Sequence, residues 1–166
     1  MIVDEFYREF EQEFKGTRKV LEILDFSKFD FKPHPRSFSL KHLAMHLANI
    51  SYWGLMTLTT DKYHLKDSEV NPDINAPERK EEMLRKFDEN VRKFLDVLRG
   101  MNKEQMDEIW TLYYNGKPFF GEPRHSVLRS SVMNHMIHHR GQLTVYLRMN
   151  DLRVPGLYGP SADDKK

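Results

Sequence analysis

The chain contains no cysteine. That one absence removes disulfides, thiolate nucleophiles and cysteine-ligated zinc or iron–sulfur centres, so any metal must be held by histidine and carboxylate. An excess of one charge is also missing: 26 Lys and Arg stand against 25 Asp and Glu, a formal net charge of +1. No global field then draws the chain to nucleic acid or anionic lipid, and neither is expected as a partner. No uninterrupted apolar run approaches the ~18 residues of a membrane span. The opening Met1-Ile2-Val3-Asp4-Glu5-Phe6 lacks a basic segment followed by an apolar one. A cytoplasmic location away from membranes is the expectation. There is no glycine-rich phosphate loop, no Gly-x-Ser-x-Gly and no His-Glu-x-x-His. The single Glu-x-x-His, Glu122 to His125, is split by Pro123 and leaves a di-iron carboxylate site without its ligand pattern.

What is present is helical periodicity. The 166 residues make one ordinary domain, 1–166, long enough to bury a core. Phe6, Phe10, Phe14, Thr17, Leu21 and Leu24 recur at intervals of three and four and predict an amphipathic helix over about 3–24. Residues 25–35 carry Phe26, Phe29, Phe31 and two prolines, which reads as an ordered loop over the end of a bundle. Ser37 or Ser39 can cap a second helix running to about Thr59, with Leu43, His46, Ile50 and Trp53 on one stripe. Residues 61–77 are polar and predict a long connection, with Pro77 suited to start a third helix. Leu84, Phe87, Val91, Phe94 and Leu98 form the seam of that helix, and Gly100 is placed to close it as a C′ residue. Between 101 and 124, strand-like residues 109–114, the turn signal Asn115-Gly116 and Pro118-Phe119-Phe120-Gly121 allow a short hairpin. A fourth helix follows Pro123 and runs to about Asn150, ahead of a tail rich in glycine and proline. The fold class these patterns predict is all-α, an antiparallel four-helix bundle with a short hairpin before the last helix.

The chemistry concentrates in Asn134-His135-Met136-Ile137-His138-His139-Arg140-Gly141-Gln142-Leu143. His135 and His139 stand at i and i+4, so their imidazoles leave one face a turn apart. They share a stripe with Leu128, Val132, Gln142 and Tyr146, where a bundle would ordinarily place aliphatic residues. His46 interrupts the apolar stripe of the second helix in the same way. If facing stripes meet, three neutral imidazoles converge and can bind a divalent ion with a position left open. Zinc, nickel, iron and copper all suit such ligands. The plainer alternative is a hydrogen-bonded core pair of histidines; His42, one turn before His46, could replace it as the ligand, but it lies off the Leu43, His46, Ile50, Trp53 stripe and reads as a helix-edge residue. Gln142 points toward the same pocket, where it could orient a ligand water or meet substrate; a polar residue at the end of the bundle is the equal alternative. Trp53 reads as core, and Arg140 faces another direction, toward a salt bridge or a dimer contact. His138 is a boundary residue, and His34, His64 and His125 fall in solvated loop or helix-start positions.

Leu43-Ala44-Met45-His46-Leu47 with the later Trp53, the His135-x-x-His138-His139-Arg140-Gly141-Gln142-Leu143 motif and the tail Val154-Pro155-Gly156-Leu157-Tyr158-Gly159-Pro160 together resemble the DinB/YfiT-like family. The resemblance runs through nearly the whole chain in order and spacing. It implies a four-helix bundle with a three-histidine site for a divalent ion, commonly nickel or zinc, with iron or manganese as alternatives. The family ligands correspond to His46, His135 and His139, and homodimers are frequent. Characterised relatives join a low-molecular-weight thiol such as bacillithiol to an electrophile, or isomerise a substrate with mycothiol. The resemblance therefore implies a metal-dependent thiol S-transferase acting on small electrophiles. The alternative is a non-catalytic stress or binding protein that the ion stabilises.

Overall fold

The computed structural model describes residues 2–65 and 77–164. Helix α1 spans Ile2–Ile23, and its predicted stripe is the buried one: Phe6, Phe10, Phe14, Thr17, Leu21 and Leu24 all lie inside. The 25–35 segment is ordered by its aromatics. A 3-10 turn at Phe26–Lys28 is capped by Asp25, and the Phe26 and Phe29 rings sit 3.9 Å apart. Ser39 caps α2, Leu40–Thr59, its side chain accepting the His42 amide. Strand β1, Lys62–Leu65, follows directly, and the remainder of the connection to residue 76 lies outside the described residues. Helix α3 covers Lys80–Arg99. Pro77 therefore stands three residues ahead of it and does not start it. Gly100 ends α3 at φ −86°, a backbone open to any residue, so the left-handed role expected of a C′ glycine is not used here.

A five-residue helix, α4 at Lys103–Asp107, closes a capping box between Asn102 and Gln105. Strands β2, Ile109–Tyr114, and β3, Lys117–Pro123, then form the anticipated hairpin. Its turn holds Asn115 at φ 49° and Gly116 at φ 73°, the left-handed pair that Asn-Gly supplies at low cost. The sheet is larger than a hairpin, because β1 pairs in parallel with the outer edge of β2 to give the order β1-β2-β3. Four residues of alternating exposure carry too little periodic signal to announce a strand, and a parallel partner forty-nine positions on is invisible locally.

The final rod begins as α5, Arg124–Val127, passes through a π-helical stretch at Leu128–Asn134 and continues as α6, His135–Met149. An unbroken α-helix was the expectation for this segment. Around the bundle, α1 and α2 lie diagonally, with α3 packed against both on one side and α6 against both on the other. Gly54 makes the α2–α3 contact close: a Cβ there would sit 2.7 Å from the Phe94 ring. Phe94 in turn meets Phe10 and Phe14 edge-on at 4.7 and 5.4 Å. Burying each such ring contributes about 1.5–3 kcal/mol, so this aromatic seam anchors α1 and α3 to the core. The result is a four-helix bundle carrying a small sheet at one flank. Among the described residues no helix is long and apolar enough to cross a membrane.

Two buried arginines complete the frame. Arg124 fastens the sheet to α2, donating to the carbonyls of Thr57, Thr60 and Gln105 and pairing with Asp61 and Glu108. Arg140 joins α6 to α1 and the tail through Glu13, Thr17 and Tyr158. The tail is turned as predicted, held by Asp163 accepting the Val154 amide and by Ser161 donating to the Val154 carbonyl.

Candidate metal centre

Because α2 and α6 are neighbours, their histidine-bearing stripes face each other. His46, His135 and His139 come together, one ring nitrogen from each lying within 4.8 Å of the other two. The Nε2 atoms of His46 and His135 are 3.2 Å apart. Ring centroids of the three pairs fall between 4.5 and 4.9 Å. Among the described residues no fourth histidine or carboxylate joins the group.

The surroundings decide which nitrogen each ring presents. His139 Nδ1–H donates to Gln142 Oε1 at 2.8 Å, and His135 Nδ1–H donates to the Ser131 carbonyl at 3.2 Å. With both Nδ1 atoms protonated, a neutral ring leaves a bare lone pair on Nε2. The π-helical stretch contributes to this arrangement: the His135 amide reaches Val132 O while Ser131 O receives the imidazole. Such departures from α-helical bonding are frequent at functional sites. Gln142, one turn after His139, acts on the imidazole itself; the sequence had left its partner open between a water and a substrate.

Charge is handled by exclusion. Burial, followed by the neighbouring rings of His135, His139 and His42, pushes the His46 pKa down to about 3. Burial also lowers His135 and His139, partly offset by their bonds to Ser131 and Gln142. All three are therefore neutral at ordinary pH, the protonation state that coordinates metal.

The other histidines separate as geometry dictates. His42 stacks on Phe38 at 4.1 Å, with its ring 6.5 Å from that of His46, and stays outside the triad. His138 is exposed, its ring 5.0 Å from that of His139. His34 and His64 are exposed as expected, although His64 lies in strand β1, stacked on Tyr113, and not in a loop; His125 is half-buried against the Met106 carbonyl and Asp107. Trp53 is more than core. It stands edge-on to His46 at 5.2 Å and roughly parallel to His135 at 6.1 Å, and it lines an adjacent cavity of about 510 Å³. That cavity is invisible in the residue pattern, since its far wall is the sheet.

A four-helix bundle that gathers three imidazoles from two neighbouring helices defines a recognisable class of protein. The DinB family model matches residues 1–166, and the chain belongs to that family. Over 164 residues it is 26% identical to the uncharacterised protein YrdA of Bacillus subtilis (strain 168), covering 98% of this chain and 91% of YrdA. A DinB-like protein from Bacillus cereus ATCC 10987 has the same fold, with a TM-score of 0.71 at 23% identity over 93% of this chain and 97% of that one. So does YfiT from Bacillus subtilis, described as a probable metal-dependent hydrolase with an unusual four-helix bundle topology. Its TM-score is 0.67 at 16% identity, over 90% of this chain and 87% of YfiT.

Proposed function

We propose that His46, His135 and His139 hold a divalent ion, nickel or zinc foremost, and that the protein joins a low-molecular-weight thiol to a small electrophile at that site. The observation that carries this reading is the convergence of three neutral imidazoles with no acidic partner among the described residues. Two nitrogens bound to one ion at about 2.0–2.1 Å, at angles from square to tetrahedral, stand roughly 2.9–3.4 Å apart. The 3.2 Å between the His46 and His135 nitrogens fits that spacing. When bound, such an ion lowers the pKa of a coordinated thiol or water and so supplies a nucleophile near neutral pH.

The chain's own residues prepare the site. Gln142 and Ser131 fix the ring orientation of His139 and His135 so that Nε2 faces inward. Trp53 packs beside His46 and His135 at the wall of the cavity. Three protein ligands leave a position for a reactant, whereas a closed set of four would mark a structural site. A second reading, hydrolysis by an activated water, is favoured by the description of YfiT as a probable metal-dependent hydrolase.

The experiment is elemental analysis of protein purified without metal-affinity resin, followed by a reactive electrophile offered with and without thiols. Stoichiometric nickel or zinc with thiol-dependent consumption supports the transferase. Consumption by water alone supports the hydrolase, and bound metal with neither supports a stabilising role. Metal content no higher than in a His135→Ala variant overturns the site itself.

A further inference from the structure

The cavity beside His135 is graded from one side to the other. Tyr63 and Leu65 from β1, Trp110 and Leu112 from β2, and Phe120 from β3 line the sheet side. Trp110 spends its indole N–H on Thr60 Oγ1 at 3.2 Å, so its ring is left to present apolar surface. The polar side chains concentrate on the final rod, as Ser130, Ser131, Asn134, His135 and His138. Among the described residues, no lysine, arginine, aspartate or glutamate lines the cavity. At about 510 Å³ the space falls within the range of small-molecule sites.

Away from the histidine end, a carboxylate or ammonium would lose its hydration against the sheet side and find no opposite charge among the described lining side chains. A flat uncharged ring, by contrast, meets aromatic faces and edges on two sides. We propose that this cavity binds an uncharged aromatic molecule, its ring against Trp53, Trp110 and Phe120 and its reactive end toward His135. Its role as the electrophile rests on the transferase reading above; its binding does not.

The chain has two tryptophans, Trp53 and Trp110, and both line the cavity, so their fluorescence reports occupancy directly. The titration compares two probes with one ring system, uncharged N-phenyl-1-naphthylamine and anionic 8-anilino-1-naphthalenesulfonate, on metal-free protein. The uncharged probe is expected to quench both tryptophans saturably and to bind at least about tenfold more tightly than the sulfonate. Phe120→Ala, at a half-buried position, should weaken the uncharged probe several-fold. Leu112→Lys, with far-UV circular dichroism to check folding, should shift the preference toward the sulfonate. Equal affinity for the two probes, no saturable quenching, or a folded Phe120→Ala variant that binds as wild type would each overturn the proposal. A parallel zinc titration of the wild type separates the two readings. Probe binding without zinc binding sinks the metal site and leaves this inference standing; zinc binding without probe binding does the reverse.

Discussion

His139 and Arg140 are consecutive residues, turned about 100° from each other on one helix, and each enters a buried polar cluster. The clusters are chemically opposite. Around Arg140, one guanidinium meets the Glu13 carboxylate, the Glu13 carbonyl and the Thr17 hydroxyl, and the Tyr158 phenol donates to Glu13 at 2.8 Å. Positive and negative charge balance there, and Gly16 keeps the space: a Cβ would lie 2.8 Å from the guanidinium. Around His139, three bases gather, and among the described residues no acid joins them. The first cluster is complete within the chain and serves as a tie between α1, α6 and the tail. The second is a set of acceptors that a cation from outside can complete. Burial of polar groups therefore does not mark function by itself; an unbalanced donor and acceptor inventory does.

Breaking the balanced cluster should have the largest effect. Arg140→Ala strands the Glu13 carboxylate inside and is expected to destabilise the fold by about 3–5 kcal/mol, read from urea unfolding. A loss below about 1 kcal/mol would mean that the pair is not a structural tie. For the unbalanced cluster, zinc at a hundredfold over its dissociation constant should stabilise the wild type by about 2.7 kcal/mol. The same zinc should leave His135→Ala unshifted in thermal melts, and equal shifts in the two proteins would remove His135 from the ligand set.

Acid should separate the clusters further. Unfolded, the three histidines titrate near the ordinary imidazole value of 6.5, while burial holds the folded His46 down to about 3 and lowers His135 and His139 as well. The unfolded chain therefore binds more protons below pH 6.5. Stability of the metal-free protein is full above that value and is lost as pH falls from about 6.5 toward the folded values. Bound metal should leave over the same fall, because the rings must be neutral to coordinate. Metal retained undiminished at pH 4, measured after dialysis, would contradict the assignment.

Smaller effects sharpen the contrast. Gln142→Ala frees the His139 ring and is expected to weaken zinc about tenfold in a competition titration while hardly moving the unfolding midpoint of metal-free protein. Tyr158→Phe should do the converse, costing about 1 kcal/mol of stability with zinc affinity unchanged. A Tyr158→Phe variant that lost zinc would show that the two clusters are coupled through α6.

The helices and the convergence of His46, His135 and His139 were legible because both follow from period. Phe6 to Leu24 and Leu84 to Leu98 mark their buried faces by spacing alone, and histidines standing on such faces must meet if the faces meet. The Asn115-Gly116 turn was legible from local backbone preference. Arg124 was not, and for Arg140 the salt bridge was expected but neither its partner Glu13 nor its burial, since charged residues read as surface until the carbonyls and carboxylates that receive them are placed. Nor was the part played by Trp53, whose cavity exists only because β1 and β2 pair.

Sequence by itself determined where the helices run and which faces they bury, because the repeat of an α-helix is local and apolar residues must follow it. It also determined the donor set, since a chain without cysteine leaves imidazole and carboxylate for any metal. Only the tertiary structure decided that α6 packs beside α2, that Gln142 and Ser131 take the Nδ1 protons, and that a sheet walls a cavity next to His135. Those outcomes depend on pairings between distant residues, whose free energy appears only once the chain has brought them together.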